Sequence, residues 1–144
     1  MGPPSSRGGM REVEGSEFVL ARARAVHRAL SPAGMVAAEG TFDVAESREE
    51  EAGTAIVASA PGVTVLLRFE ERENGLAYTA EGEVGPFDHL ETEVAVEPER
   101  NGSRVTMRST VSLNLPLPFA DRIAAWKRRG ELRRVLDELV DSVR

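Results

Sequence analysis

Several reactive residue types are rare or absent in this sequence. It contains no cysteine, one lysine, one tryptophan, one tyrosine and two histidines. Without thiols the chain cannot form disulfides, use a thiolate nucleophile or bind a metal through cysteine. No uncharged apolar run approaches the length of about 20 residues that a bilayer-spanning helix needs. We therefore predict no integral membrane association, and we expect a cytoplasmic protein.

Charge is unevenly distributed between the two signs. The chain has 24 acidic and 18 basic residues and a formal net charge of -6. An acidic protein is repelled by polyanions, so we expect no nucleic-acid partner. All basic residues except Lys127 are arginine. This usage fits either a salt-adapted protein or a GC-rich codon bias, and the sequence does not separate the two.

Length and composition predict one domain after a short leader. A chain of 144 residues can bury roughly two thirds of the surface that its unfolded form exposes. Residues 1–10 are rich in glycine, proline and serine and lack the apolar core of a secretory signal. We predict a disordered leader over 1–10 and a single domain over 11–144.

Short alternating apolar segments follow one another through the middle of the chain. They are separated by turn signals, with no room for the helices that parallel strands require, so the sheet must be antiparallel. Strands are predicted over 11–20, 41–46, 54–60, 63–71, 76–82, 89–97 and 104–113. An acidic turn over 49–51 separates two of them. Asn74-Gly75 and Asn101-Gly102 are hairpin signals, and the first predicts a type I′ turn with positive φ at both residues.

Three segments change to a helical period. Residues 21–30 form a short amphipathic pattern, and Ser31-Pro32 is typical of a helix N-cap followed by proline, which predicts a second helix over 33–39. The last helix is predicted over 118–143, where Phe119, Ile123 and Trp126 carry its apolar stripe into the first half. Its second half repeats at helical spacing through Leu132, Val135, Leu136, Leu139, Val140 and Val143. Gly130 costs up to ~1 kcal/mol there, which predicts a close backbone approach or a bend.

This order of elements resembles the helix-grip fold of the START-like superfamily, also called SRPBCC. The local likeness lies in residues 21–30, in the Gly85-Pro86-Phe87 break before the penultimate strand, and in the segment from Gly102 onward. The family's usual Ala-Pro after strand one is Ala21-Arg22 here. The resemblance implies an α+β fold: a curved seven-stranded antiparallel sheet around a long C-terminal helix, with two short helices after strand one. It also implies a cavity between sheet and helix for a lipid, a polyketide or another apolar molecule.

The inward strand positions carry hydroxyl groups but no acid, base or histidine. A general acid/base pair is therefore not visible, which weakens an enzymatic interpretation. Hydroxyls converging in an apolar pocket are the usual form of a small-molecule site. The alternative is a filled core in which the same hydroxyls bond to nearby backbone. The predicted cavity lining is Phe69, Tyr78, Thr92, Met107, Ser109, Ile123 and Trp126.

Other polar groups are assigned to the surface. His27 and His89 lie on different elements with no converging ligands, so we predict neither a metal nor a cofactor. Lys127, Arg128 and Arg129 are placed on the outer face of the last helix with Arg133 and Arg134. They could contact an acidic partner or anionic lipid, but we favour the interpretation that they are paired charges along the helix.

Three functions follow from these observations. The leading hypothesis is binding of an apolar or amphipathic small molecule in the cavity. The second is a polyketide cyclase/dehydratase-like enzyme in which Tyr78 polarises a substrate carbonyl. The third is a protein-interaction module with no ligand. Ligand identity and oligomeric state are open.

Overall fold

A computed structural model describes residues 11–81, 87–113 and 120–143; the side chains of residues 87, 88, 113, 120 and 121 are not described. The predicted leader, the Gly85-Pro86 break and the connector before the last helix lie outside the described residues. The elements in chain order are β1 (Arg11–Val19), α1 (Ala23–Ala29), α2 (Pro32–Glu39), β2 (Asp43–Glu50), β3 (Gly53–Ala60), β4 (Val63–Arg72), β5 (Gly75–Glu81), β6 (Phe87–Glu99), β7 (Gly102–Leu113) and α3 (Ala120–Ser142).

The seven strands form one curved antiparallel sheet in the order β1-β7-β6-β5-β4-β3-β2. Strands β2 to β6 are each paired with the next one along the chain. Strand β1 lies beside β7, with Val13 opposite Ser109. The predicted α+β helix-grip architecture, with two short helices after strand one, is confirmed.

Both Asn-Gly hairpins turn one residue earlier than predicted. The turn residues are Glu73-Asn74 and Arg100-Asn101, while Gly75 and Gly102 already belong to strands. Neither Asn74 nor Gly75 has a positive φ, so the predicted type I′ turn at these two residues is wrong. Gly75 is needed for a different reason: a Cβ there would overlap the carbonyl oxygen of Val94 on β6. Glycine at this position allows the backbones of β5 and β6 to approach closely.

Strand β2 continues past its predicted end at Glu46. Glu49 and Glu50, which were predicted to lie in a turn, belong to the strand. Glu49 pairs with Thr54 and Glu50 with Gly53 in the β2–β3 ladder. These side chains face solvent at a sheet edge, where charge carries no burial cost. Thr54 Oγ1 donates a hydrogen bond of 3.2 Å to Glu49 Oε2. The two-residue turn is Glu51-Ala52.

The three helices pack on one face of the sheet. Helix α2 begins as predicted, with the Ser31 side chain accepting a 3.0 Å hydrogen bond from the backbone N–H of Gly34. Helix α3 contacts β1, β7 and α2. The strand alternation places the expected apolar side chains beneath it. The buried strand residues include Val65, Leu67, Phe69, Leu76, Leu90, Val94, Val96, Val105, Met107 and Val111.

Helix α3 buries a different stripe in its first half from the one predicted. Ile123 and Trp126 are 60% and 73% exposed, so they do not continue the core. The residues four and eight positions before Leu132 lie on its side of the helix. They are Arg128 and Ala124, and both are buried. A Cβ on Gly130 would meet nothing within 4 Å. Of the two alternatives predicted for Gly130, the close backbone approach is therefore wrong, and the bend stays a prediction.

Candidate functional site

Arg128 lies in the protein interior between α3 and the sheet. Only 3% of the residue is exposed, although the sequence interpretation had placed it on the outer face of the helix. Two carboxylates, Glu39 and Glu131, are buried with it. The inward strand positions carry no acid, base or histidine, as predicted, but helices α2 and α3 bring three charged residues into the interior that the strand alternation does not reveal. We call Arg128, its two carboxylate partners and its three hydroxyl partners the Arg128 cluster: Glu39, Tyr78, Thr92, Ser109, Arg128 and Glu131.

The guanidinium meets both carboxylates. Arg128 Nη1 donates to Glu131 Oε1 at 2.7 Å and lies 3.1 Å from Glu39 Oε1. Arg128 Nη2 donates to Glu39 Oε2 at 3.3 Å. A planar fork of donors suits two carboxylates on one arginine, and charge-assisted bonds of this kind are stronger than neutral ones.

The remaining donors of the guanidinium go to the three predicted hydroxyls. Arg128 Nε donates to Ser109 Oγ at 2.9 Å, and Nη2 donates to Thr92 Oγ1 at 2.7 Å and to Tyr78 OH at 2.5 Å. Tyr78 in turn donates its proton to Glu39 Oε2 at 2.6 Å. Among the described residues, no buried side-chain nitrogen or oxygen lacks a hydrogen-bond partner. The cluster is therefore fully satisfied, as a buried polar network must be to avoid a large desolvation cost.

Five separate elements hold these side chains together. Glu39 ends α2, whereas Arg128 and Glu131 lie one turn apart on α3. The strand residues are adjacent across the sheet: Tyr78 on β5 pairs with Thr92 on β6, which pairs with Ser109 on β7. All three hydroxyls face the interior, as the strand alternation predicts.

Charge is unbalanced within the cluster, with one cation facing two carboxylates. The pKa of Arg128 lies well above its usual value: burial acts to lower it, but Glu39, Tyr78 and Glu131 together outweigh that effect. The pKa of Glu131 is lowered, because Arg128, Thr41 and Lys127 outweigh the raising effect of burial. Arg128 and Glu131 are therefore held in their charged forms at neutral pH.

A second cation lies at the rim of the cluster. Lys127 Nζ is 3.3 Å from Glu131 Oε2 and donates to Thr41 Oγ1 at 3.0 Å. Thr41 donates in turn to Glu131 Oε2. The side chain of Lys127 is 55% exposed, so this contact joins the buried charges to the surface.

The predicted lining residues divide into two groups. Phe69, Tyr78, Thr92, Met107 and Ser109 are at most 3% exposed and lie in the interior. Phe69 and Tyr78 pack with ring centroids 4.6 Å apart. Ile123 and Trp126 lie on the opposite, outer side of α3 and do not join the others. The alternative in which hydroxyls bond to backbone holds for one contact, from Ser109 Oγ to the Glu91 carbonyl at 3.2 Å.

An apolar groove of about 130 Å³ runs between α3 and the helical segment that contains α2. Its floor includes Met35, Val135 and Leu139, all of which belong to the core. Glu39 follows Met35 by four residues, and Glu131 precedes Val135 by four. The Arg128 cluster therefore lies about one helical turn, roughly 5.4 Å, further along the seam between α2 and α3.

The two histidines each approach a carboxylate at the surface. His27 Nε2 lies 3.6 Å from Glu71 Oε1, and His89 Nε2 lies 3.2 Å from Glu91 Oε2. No group of three or more potential metal ligands converges within the described ranges.

Solved structures with the same arrangement fix the fold. A START superfamily protein from Mycobacterium smegmatis has a TM-score of 0.70 to this chain at 13% identity, covering 92% of this chain and 96% of its own. The chain has a START-like fold. The Zhui aromatase/cyclase from Streptomyces sp. R1128 follows at TM-score 0.66 and 18% identity, over 94% and 96% of the two chains. Ara h 8.0201 matches at TM-score 0.59 and 14% identity, over 92% and 99%.

Sequence comparison adds nothing to this structural likeness. No protein-family model matches the chain, and no curated protein matches its sequence. The TM-scores establish a START-like fold, and a fold of this kind carries several functions. The function of this chain must therefore be argued from its own residues.

Proposed function

We propose that this protein binds an apolar or amphipathic small molecule, which enters along the seam between α2 and α3. The observation that carries the proposal is the apolar groove that opens on this seam, about one helical turn from the Arg128 cluster. An apolar recess with a few polar groups at one end is the common form of a small-molecule site. The START-like fold supports the proposal, since one structural neighbour is named as an aromatase/cyclase.

The cluster favours a ligand whose polar end is uncharged. Glu39 and Glu131 together outnumber the single buried cation Arg128, and the second cation, Lys127, lies at the exposed rim. An anionic head group would therefore meet net negative charge in the buried, poorly solvated part of the cluster. A hydroxyl or carbonyl group can instead share hydrogen bonds with Tyr78 or Thr92. We therefore infer a neutral alcohol, ketone or related apolar compound rather than a fatty acid.

Binding requires the seam to widen. The groove of about 130 Å³ is smaller than the roughly 300–1,000 Å³ of a typical ligand pocket. The contacts that hold α2 to α3 are therefore the ones that must give way. They include the bond of 2.9 Å from Arg134 Nε to the Glu39 carbonyl.

A neutral apolar dye tests the proposal. Nile red should bind saturably with one site per chain, and native mass spectrometry of protein purified from its own source should detect a co-purified neutral molecule. Ala38 lines the groove and Ala45 lies exposed on β2. Ala38→Phe should abolish dye binding by filling the groove, whereas the matched control Ala45→Phe should leave it unchanged. No saturable binding to the wild type, or equal loss in both variants, would contradict the proposal.

The enzymatic alternative is supported by one feature, the buried Tyr78 beside Glu39 and Arg128. Its weakness is the direction of the proton, because Tyr78 donates to Glu39 and so has no donor left for a substrate carbonyl. Turnover lost in Tyr78→Phe with dye binding retained would favour catalysis. The geometry favours binding.

A further inference from the structure

The outer face of α3 carries an apolar ridge that the core does not use. Ile123 and Trp126 are 60% and 73% exposed, and nothing lies within 4 Å of the position that a Cβ on Gly130 would take. Successive helical residues are about 100° apart around the axis. These three residues therefore fall within about 60° of one another, on the side opposite the buried stripe.

Cations flank this ridge on both sides. From residue 122 to residue 134, every exposed charged side chain of α3 is basic, because Glu131 is buried. The basic side chains are Arg122, Lys127, Arg129, Arg133 and Arg134. The later part of the helix is the reverse, with Asp137, Glu138 and Asp141 exposed. One helix thus carries a basic apolar half and an acidic half.

Nearby carboxylates do not cancel the basic half. Arg133 Nη1 pairs with Glu17 at 2.9 Å and Lys127 with Glu131 at 3.3 Å. Glu14 also borders the cleft of about 560 Å³ that surrounds Gly130. Glu131 is shared with the buried Arg128. Arg134 Nε donates to the backbone carbonyl of Glu39, and Arg129 has no carboxylate partner among the described residues. This half of α3 therefore stays basic in a protein whose net charge is -6.

We propose that this face of α3 docks the protein peripherally onto an anionic membrane surface. Trp126 and Ile123 would enter the interfacial layer, and the five flanking cations would lie against the lipid phosphates. Tryptophan with arginine on a helix lying in the membrane plane is the combination that such interfaces prefer. Among the described residues, no helix is long and apolar enough to span a bilayer.

Shape and charge together select a bilayer over an acidic protein. The ridge runs along the exposed side of α3 for about 18 Å, from residue 122 to 134 at about 1.5 Å per residue, and Trp126 borders the cleft around Gly130. An apolar ridge and cleft between cations fit a deformable, laterally uniform anionic surface. The acidic half of α3 and the acidic remainder of the molecule are repelled by that surface, so they orient the basic half toward it.

Co-sedimentation with lipid vesicles tests the proposal. The full chain should bind vesicles of phosphatidylcholine mixed with phosphatidylglycerol, and should not bind vesicles of phosphatidylcholine alone. Binding should weaken with added salt. Because Trp126 is the single tryptophan, its emission should shift to the blue when mixed vesicles are added.

Matched charge variants locate the surface. Arg129→Gln with Arg133→Gln should weaken binding to mixed vesicles by about 30-fold, since each basic residue near an anionic surface contributes about fivefold. Arg24→Gln with Arg28→Gln makes the same charge change at exposed positions of α1 and should leave binding unchanged. Thermal melting of both variants separates lost binding from lost folding.

Several results would overturn the proposal. Equal binding to neutral vesicles would remove the role of charge, and equal weakening in both double variants would show that net charge alone acts. Unchanged Trp126 emission on bound vesicles would show that the ridge does not enter the lipid. Binding to soluble polyglutamate, or self-association, in place of vesicle binding would assign the face to a protein partner.

Discussion

Arg128 connects more of the molecule than any other single residue described above. Its donors reach α2, three neighbouring strands and its own helix. A buried ion pair adds little net stability compared with an apolar core, but removing one partner leaves the others charged, desolvated and unpaired. The effect of substitution at Arg128 should therefore depend on whether its carboxylate partners are replaced too.

Arg128→Met should lower the free energy of unfolding by about 3–5 kcal/mol, because Glu39 then remains buried without a cation and Glu131 keeps only the half-exposed Lys127. The triple variant in which Glu39→Gln and Glu131→Gln accompany it should recover part of that loss. Urea titration of the three proteins measures both effects. A single variant as stable as the wild type would mean that the interior is open to water.

Tyr78 provides a pH prediction that can be observed directly. Burial, reinforced by Glu39 and partly opposed by Arg128, raises the pKa of Tyr78 well above its usual value of 10.0. A raised pKa means that the folded state holds this proton more tightly than the unfolded state. The stability that results is fully present below pH 10 and is lost as the pH rises above it toward the pKa in the folded state.

Absorbance titration isolates this group, because Tyr78 is the single tyrosine of the chain. The folded protein should show no tyrosinate signal at pH 10, and the signal should appear together with unfolding as judged by circular dichroism. Tyr78→Phe should flatten the fall in stability above pH 10. A tyrosinate signal near pH 10 in the folded protein would contradict the burial of this hydroxyl.

At the scale of the element, α3 shows what a sequence pattern predicts and where it misleads. The strand alternation was reliable because every second side chain must face the same way. The helix stripe failed in its first half, because Ile123 and Trp126 look more apolar than Ala124, Ala125 and Arg128. Helical spacing alone, continued back from Leu132, would have found the correct face. The residue types hid this face, because an arginine is buried only where carboxylates from elsewhere in the fold pair with it, and the sequence pattern does not show such pairing.

Leu136 tests the packing of this helix on the sheet. It is 1% exposed, and its side chain would lie 3.1 Å from a Cβ placed on Gly15 of β1. Leu136→Ala should cost about 2–5 kcal/mol through lost transfer energy and the cavity it leaves. Denaturant titration measures the loss, with the exposed Leu20→Ala as the control that should change little. A loss near zero would show that α3 is not anchored here.

Two glycines should respond to alanine in opposite directions. Gly130→Ala should stabilise the protein by up to ~1 kcal/mol, because helical alanine is favoured and the added methyl meets no neighbour. Gly75→Ala should destabilise it, because the methyl would overlap the Val94 carbonyl and push β5 away from β6. Thermal melting of both variants measures the two signs. A destabilised Gly130→Ala would point to a contact on the outer face of α3.

At the scale of the whole molecule, element order was enough to predict the architecture. Seven strands, two early helices and one late helix leave few ways to cover a single apolar sheet face. The turn positions were less predictable, since Gly75 and Gly102 are fixed by strand backbones that lie far away in sequence. The Arg128 cluster forms only where five elements pack together, and a local sequence pattern does not predict that packing. The Asn-Gly signals found the hairpins but not their register.

The domain boundary stays a prediction. Residues 1–10 contain no apolar periodicity that could offset the entropy of ordering them. A chain that begins at Arg11 should therefore melt at the same temperature as the full chain. Differential scanning calorimetry of the two proteins is the measurement, and a clearly lower melting temperature after truncation would move the boundary toward the N-terminus.

The pairing of β1 with β7 also sets the order of events during synthesis. Val13 leaves the ribosome long before its partner Ser109 has been made, and chains are synthesised N-terminus first at about 5–20 residues per second. Strand β1 therefore stays unpaired while the hairpins from β2 to β6 form. Helix α3, which covers both strands and completes the Arg128 cluster, emerges after them. Each nascent chain therefore passes through an interval in which Glu39 lacks Arg128 and β1 has no partner, and this interval ends only after β7 and α3 have been made.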